Sequence, residues 1–201
     1  MPSFSKVLLF CCFGIATAYA VAIAAGARGI LEPTLPRHLE ATLGASAAEV
    51  GLLFTLSTTV YGLTSPLVSL VTERHGMTRT AITGTIMMAV TLPLLGVAPT
   101  MFFSAAVLCC VNIGFAFLLN PTSAELGDAV EHRGLSCYGV VYAIYNIAYA
   151  IGMMSASNLA ALLSDRFSVF EILLSVSVIL LLFVPVMLGA GKRMQPVAET
   201  R

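Results

Sequence analysis

The sequence VLLFCCFGIATAYAVAIAAGARGI occupies residues 7–30, and LEPTLP follows it directly at residues 31–36. The first stretch carries only one charged side chain, that of Arg28. At a rise of about 1.5 Å per residue, a helix of this length can cross the roughly 30 Å of hydrocarbon in a bilayer. The stretch therefore predicts a membrane-spanning helix with an acid, Glu32, at its end.

The composition of the whole chain points to the same environment. Of its 201 residues, 58% are hydrophobic and 10% are charged, and the mean hydropathy is +0.95. Soluble domains average about 25% charged residues, so a water-soluble fold could not hide this much apolar surface. The formal net charge is zero and no basic run occurs, which argues against nucleic-acid binding.

Six apolar stretches divide the chain. The predicted fold class is an all-α integral membrane protein, in which residues 1–201 form a single membrane domain of six transmembrane helices. Because the gaps between the stretches are short, consecutive helices are expected to be antiparallel neighbours. The predicted spans are residues 7–30, 50–71, 81–97, 102–120, 138–163 and 170–188.

The positive charges predict the orientation in the membrane. Loops rich in Lys and Arg stay on the cytoplasmic side, so both termini are predicted to be cytoplasmic, in a multi-pass protein of the plasma (inner) membrane. Ala18-Tyr19-Ala20 resembles a signal-peptide cleavage site, but the apolar run exceeds the roughly 7–15 residues of a signal peptide, so a retained span is expected. The predicted cytoplasmic side holds Lys6, Arg74, Arg79, Arg133, Lys192, Arg193 and Arg201, and the outer side holds Arg28, Arg37 and Arg166.

Residues that could support catalysis or metal binding are scattered. No histidine falls inside a predicted span, and no C-x-x-C, H-E-x-x-H, G-x-S-x-G or phosphate-loop motif occurs. Asp128 and Asp165 are both predicted in loops, which excludes a paired-aspartate protease site inside the membrane. An enzyme, a metal site and a cofactor are therefore not expected. The cysteines are Cys11, Cys12, Cys109, Cys110 and Cys137, and the histidines are His38, His75 and His132.

Glu32 is the strongest candidate for a functional residue. A carboxylate at membrane depth costs at least about 2.5 kcal/mol, so it usually faces a cavity or a partner. Arg28 lies four residues earlier, on the same helix face. The two side chains could simply neutralise each other, or Glu32 could take up a proton or a cationic substrate while Arg28 adjusts how readily it is protonated. Pro33 and Pro36 are expected to break the helix and let Glu32 face a vestibule.

A second candidate is a stripe of polar and aromatic side chains on the predicted fifth span. Residues three and four apart share a helix face, which groups these side chains together. Ring faces attract organic cations, although an ordinary helix–helix interface would use the same residue types. Asn120, at the end of the fourth span, belongs to the same set of intramembrane polar residues and suits a binding cavity more than a pore. The stripe consists of Tyr138, Tyr142, Tyr145, Asn146 and Tyr149.

The connection between the second and third spans has a pattern of its own. Glu73 and Arg74 are followed by His75 and Gly76, with Arg79 shortly afterwards. An acid, a base and a glycine in a tight turn can fix two helix ends through charge and turn geometry. We interpret this connection as a candidate gating loop.

Together these motifs resemble the second half of major facilitator superfamily transporters. Residues 73–76 are similar to the signature loop of that superfamily, with Ser69 and Glu73 in place of its usual glycine and aspartate. Residues 31–36 and 138–144 resemble the seventh and eleventh helices of vesicular amine transporters and their bacterial multidrug-efflux relatives. Asp128 falls where the tenth helix of those proteins also ends in an acid.

The resemblance implies a function and partners. Those families exchange protons for cationic, often aromatic substrates, and Glu32 lies at the position of their amine-recognising glutamate. Asn146 and Ala116 stand where the vesicular transporters carry two further acids. That departure leaves open whether proton coupling rests on this chain or on an acid in a second half.

The length of the chain implies a partner. A complete facilitator has two six-helix repeats with substrate bound between them, and this chain corresponds to one. It could be a gene fragment, a half that pairs with a separate chain, or a half that forms homodimers. The expected activity is export of cationic or lipophilic small molecules by proton antiport. The alternatives are a non-transporting remnant, an accessory membrane subunit, or a facilitator for a neutral solute.

Overall fold

Each predicted span coincides largely with an α-helix in the computed structural model, which describes residues 4–131 and 138–194. These residues form six helices and no strand, as the all-α prediction requires. The helices are α1 (Phe4–Leu43), α2 (Ala47–His75), α3 (Met77–Leu95), α4 (Met101–Glu131), α5 (Tyr138–Leu163) and α6 (Val169–Met194).

Five of the helices, α2 to α6, are long and apolar enough to cross a membrane. The remaining helix, α1, has 40 residues, which corresponds to about 60 Å or roughly twice the hydrocarbon thickness. Its span over residues 7–30 stays a prediction, because most side chains before Val21 lie outside the described part. The described part also leaves out the side chains of Lys6, Cys11, Cys12, Asp128, Lys192 and Arg193. Four further residues named above lie outside the described residues altogether, namely His132, Arg133, Cys137 and Arg201.

The helices do not pack in chain order. The helix α1 packs mainly against α5, α2 against α4, and α3 against both α4 and α6. Few contacts join α1 to α2, α2 to α3, or α4 to α5. The prediction that consecutive helices are neighbours is therefore wrong for most pairs and holds for α3 and α4. A short connection limits only the distance between two helix ends, whereas the residues on the facing sides decide which helices can pack.

Small residues allow the closest of these contacts. A Cβ atom added to Gly152 on α5 would collide with the backbone of Ala22 on α1. In the same way, a Cβ atom on Gly84 of α3 would lie 2.5 Å from the carbonyl oxygen of Gly114 on α4. Helices in a membrane associate through such close backbone approach, because lipid provides no hydrophobic drive between them.

The prediction of a helix break at Pro33 and Pro36 is wrong, because α1 continues through both prolines to Leu43. Pro33 lacks an N–H group and cannot bond to the carbonyl oxygen of Gly29. The hydroxyl of Ser157, on α5, donates to that oxygen over 2.8 Å. A neighbouring helix thus satisfies the freed backbone group, which is how membrane helices tolerate proline.

Other residues predicted outside the spans also lie within helices. His38 belongs to α1, and the backbone of Asp128 belongs to α4, which ends only at Glu131. The charged segments that mark the end of the hydrocarbon do not mark the end of a helix, because polar residues remain compatible with helical structure in water. Asp165 lies in the short connection after α5, as predicted.

The six helices are unequally enclosed. In α4, 56% of the most apolar segment is buried inside the protein, against 17% in α5 and 11% in α2. The core therefore forms around α4, α3 and the middle of α1, and α2 and α5 present broad exposed faces.

Candidate functional site

An ion pair on α1 forms the centre of the site. The Nε atom of Arg28 lies 2.8 Å from Oε1 of Glu32, one helical turn later. The two side chains are 27% and 37% exposed, so neither is fully buried. The pairing predicted from the four-residue spacing is confirmed, and it is the only ion pair among the side chains that the structure describes.

The guanidinium of Arg28 has a second partner on α4. Its Cζ atom lies 5.3 Å from the centre of the Phe115 ring, and Phe115 itself is only 3% exposed. A cation within about 6 Å of a ring centre is attracted by the negative face of the ring. Arg28 is therefore held by a carboxylate from its own helix and by a buried aromatic ring from another.

Aromatic and polar contacts continue from Phe115 towards α2. The rings of Phe115 and Tyr61 are 5.9 Å apart at 49°, a tilted arrangement typical of aromatic pairs. The hydroxyl of Tyr61 donates to Oδ1 of Asn120 over 3.4 Å. The Nδ2 atom of Asn120 is buried and has no hydrogen-bond partner among the described residues. A buried donor without a partner costs about 1–3 kcal/mol, which makes it a candidate contact for a bound molecule or water.

A small cavity lies beside the ion pair, between α1, α2, α3 and α4. Its volume is about 20 Å³, which is room for roughly one water molecule. Sites for small organic ligands usually measure about 300–1,000 Å³, so this conformation has no room for such a molecule. The polar residues of the lining are Arg28, Glu32, Ser57, Thr58 and Asn112, and the aromatic ones are Phe54 and Phe115.

The predicted stripe on α5 is divided by its surroundings. Tyr145 and Tyr149 are half-buried and pack against the core, as Tyr61 does. Tyr142 is exposed and donates to the carbonyl oxygen of Ser123 on α4 over 3.3 Å.

The remaining members of the stripe are exposed as well. Tyr138 is 41% exposed at the start of α5. The amide of Asn146 is also exposed and donates to the carbonyl oxygen of Tyr142 in its own helix over 2.9 Å. Within the described part of the chain, only Tyr145 and Tyr149 of the stripe therefore pack against the core.

The candidate gating loop is a sharp junction between two helices. Glu73 and Arg74 lie in the last turn of α2, and Arg79 lies in the first turns of α3. Gly76 alone separates the helices, with a φ angle of +83° that only glycine adopts without strain. Its N–H donates to the carbonyl oxygen of Thr72 over 2.8 Å. The three charged side chains are exposed and form no ion pair within the described part of the chain.

Three residues of the site escape detection from sequence. Phe54 and Phe115 belong to apolar runs in which nothing distinguishes an aromatic side chain that lines a cavity from one in the core. Ser157 is one of many serines, although Pro33 did signal that some donor must reach the carbonyl of Gly29. No group of His, Cys, Asp and Glu side chains that could hold a metal ion occurs among the described residues.

Comparisons with known proteins agree with this architecture. The sequence pattern of the Major Facilitator Superfamily matches residues 17–200. The chromaffin granule amine transporter of Rattus norvegicus is 28% identical over 127 residues, which cover 61% of this chain and 24% of that protein. The matched region thus spans about a quarter of the length of this relative. Because the family pattern matches most of the chain, the protein belongs to the major facilitator superfamily.

Proposed function

We propose that this chain is one half of a transporter that exports cationic or lipophilic small molecules by proton antiport. The single observation that carries the proposal is the position of the Glu32 carboxylate, beside a cavity that the buried Phe115 also lines. Membership of a transporter superfamily and similarity to an amine transporter support it.

The chemistry of the site suits the exchange of a proton for a cation. A carboxylate attracts a cation only while it is ionised, and an aromatic ring nearby adds a cation–π attraction. Protonation of Glu32 would remove its charge and release the cation, so uptake of one proton and release of one cation would alternate at a single group. Neither Asn146 nor Ala116 is an acidic residue, so we expect any second acid that couples transport to protons to come from another half.

A second six-helix half is part of the proposal. Substrates of such transporters bind near the membrane midplane between two repeats. Thr58, Thr59 and Asn146 lie on exposed helix faces, where Thr59 and Asn146 bond to carbonyl oxygens of their own helices and lipid would supply no further hydrogen-bond partner. Phe54, Thr55, Thr58 and Thr59 line a shallow open depression of about 410 Å³ on α2, next to the cavity, which a facing half could close. We infer that a second copy or a separate chain covers α2 and α5.

Light scattering in a gentle detergent tests the assembly. The expected result is a homodimer or a complex with a separate six-helix chain. A stable monomer that still transports would contradict the need for a partner.

The junction at Gly76, with the charged residues around it, is proposed to fix the relative positions of α2 and α3 during the transport cycle. Gly76→Ala would force an alanine into the left-handed region and strain this junction. The proposal expects a slower transport cycle with unchanged substrate affinity.

Transport in everted inner-membrane vesicles tests the proposal as a whole. In vesicles acidified inside by respiration, a lipophilic cation such as ethidium should cause proton release and recovery of quenched acridine fluorescence. Vesicles with the Glu32→Gln variant at equal expression should show no recovery. Recovery with a neutral solute but not with cations would favour a facilitator for neutral solutes. No recovery with either, in vesicles that also hold the partner half, would leave a remnant or an accessory subunit.

A further inference from the structure

We propose that Arg28 is a built-in occupant of the cation site, which a substrate must displace before it can bind Glu32. This inference rests on the proposed function, because it concerns the same carboxylate and the same kind of ligand. It assigns Arg28 the role of a tethered competitor rather than that of a substrate contact.

The contacts of Arg28 are those that an organic cation would make. Its guanidinium is hydrogen-bonded to the Glu32 carboxylate at 2.8 Å and lies 5.3 Å from the centre of the Phe115 ring. A charge attraction to the carboxylate, with a hydrogen bond where the cation has an N–H donor, and a cation–π contact with the ring are the attractions that such a site offers to an organic cation. Both are already used by a side chain of the protein.

Space around the pair supports competition over simultaneous binding. The cavity beside Arg28 and Glu32 measures about 20 Å³, so within it nothing much larger than a water molecule can approach the pair while Arg28 keeps its position. The Arg28 side chain is 27% exposed, which gives it a direction in which to leave without crossing the packed core. A cation that reaches Glu32 and Phe115 would have to take the place of the guanidinium.

Charge neutralisation alone does not explain this arrangement. An ion pair between residues four apart on one helix needs no third partner. Here the ring of Phe115 comes from α4, is buried, and is itself supported by Tyr61 from α2. Two helices besides α1 therefore contribute to the place where the guanidinium sits.

A tethered competitor has consequences for selectivity. Because Arg28 is attached one turn from Glu32, its local concentration is high, and the binding free energy of every substrate is reduced by the free energy needed to displace it. Small monovalent cations that bind only the carboxylate would displace it poorly, whereas large aromatic cations with additional apolar contacts would succeed. The proposal thus identifies Arg28 as a residue that determines selectivity for large lipophilic cations.

Binding of radiolabelled tetraphenylphosphonium to the full-length protein in its native assembly tests the inference. The Arg28→Gln variant should bind this cation about tenfold more tightly than the wild type. Arg28→Lys keeps the charge but loses the planar guanidinium, so it should fall between them and serves if Arg28→Gln does not fold. Arg37→Gln on the exposed surface of α1 is the matched control, because it removes the same charge. Its affinity should equal that of the wild type.

Free guanidinium provides a readout that a purely structural role would not change. In Arg28→Ala, millimolar guanidinium chloride should inhibit tetraphenylphosphonium binding, whereas potassium chloride at the same ionic strength should not. In the wild type the two salts should have equal effects, because the tethered guanidinium already occupies the site.

The outcomes separate this inference from the proposed function. If Glu32→Gln abolishes binding while Arg28→Gln and Arg28→Lys bind as weakly as the wild type or more weakly, the cation site stands and the competitor role is overturned. If neither the wild type nor any Arg28 variant binds the cation saturably, both the proposed function and this inference are overturned.

Discussion

The hydroxyl of Ser157 donates to the carbonyl oxygen of Gly29 over 2.8 Å, at the helical position that Pro33 leaves without a donor. The same hydroxyl also contacts the carbonyl oxygen of Met153 in its own helix at 2.9 Å. The contact at Gly29 joins α1 to α5 one turn before the proline and close to the Arg28–Glu32 pair. It explains why α1 remains helical through a sequence that should interrupt it.

The first prediction concerns this hydrogen bond. Ser157→Ala should lower the free energy of unfolding by about 1 kcal/mol, since interhelical hydrogen bonds in membranes contribute about 0.6 kcal/mol on average and up to roughly 1.7 kcal/mol. In a Pro33→Ala background the loss should be smaller, because the introduced alanine would supply an N–H to the carbonyl of Gly29. The measurement is a double-mutant cycle of unfolding in detergent.

Ser155→Ala is the matched control for this cycle. Ser155 lies on the same helix, and its hydroxyl bonds only to carbonyl oxygens of α5. Its loss should change stability by less than about 0.5 kcal/mol. Equal losses for Ser157→Ala with and without Pro33 would show that the hydroxyl does not replace the missing N–H.

The second prediction concerns the close contact between α1 and α5. Gly152→Ala places a Cβ against the backbone of Ala22, and neither helix can retreat without separating the pair. Forcing extra atoms into packed structure costs about 1–3 kcal/mol. Gly139→Ala on the same helix meets nothing within 4 Å and should remain within about 0.5 kcal/mol of the wild type. Thermal unfolding of both variants in detergent checks this, and equal melting temperatures would argue against the close approach.

The limits of sequence reasoning are visible in this region. The Arg28–Glu32 pair was predictable because four residues along a helix bring two side chains together whatever surrounds them. The continuity of α1 was not predictable, because its missing bond is supplied by Ser157, 128 residues away along the chain. The contact of Phe115 with Arg28 was not predictable either, because Phe115 lies on another helix, α4. A single sequence specifies which residues face the core, but it does not show which helix lies opposite.

The third prediction concerns the start of α2, where Ser46 and Glu49 form a reciprocal cap. The backbone N–H of Ser46 donates to the carboxylate of Glu49 over 2.8 Å, and the N–H of Glu49 donates to the Ser46 hydroxyl over 3.3 Å. Ser168 and Glu171 repeat the arrangement at the start of α6. These bonds to backbone and side chain lower the pKa of Glu49, which precedes the predicted span, below the usual 4.5.

The sign of the pH effect follows from the lowered pKa of Glu49. A carboxylate with a depressed pKa in the folded state stabilises the protein above its unfolded pKa, and that contribution is lost as pH falls through the folded pKa. The melting temperature should therefore decline as the pH drops below about 4.5. Replacing Glu49 by Gln keeps the capping geometry but not the charge, so it should flatten this decline. An unchanged decline in this variant would assign it to other groups.

The fourth prediction concerns topology. With six spans and with most Lys and Arg residues in the termini and in the loops on the same side as the termini, both termini should be cytoplasmic. A phosphatase that is active only outside the cytoplasm should give low activity when fused after Arg201 and high activity when inserted after Pro99, between α3 and α4. Strong activity of the fusion after Arg201 would refute an even number of spans.

The last prediction separates transport from charge balance at Glu32. Glu32→Gln keeps the shape of the side chain but removes its charge, so it should reduce transport of an organic cation at least about tenfold, as the loss of a charged hydrogen bond implies. It also leaves Arg28 without its partner, which should lower the melting temperature, because removing one member of a pair leaves an uncompensated charge. The double change of Arg28→Leu with Glu32→Leu should restore stability.

Transport by the double variant decides between the two roles of the pair. If Glu32 only balances Arg28, the double variant should recover activity together with stability. We expect stability to return without activity, because the carboxylate lies beside a cavity that the buried Phe115 also lines, where a cation needs the negative charge itself. The measurement pairs efflux in everted vesicles with thermal unfolding of the wild type, Glu32→Gln and the double variant. Full transport by the double variant would leave Glu32 a structural role only.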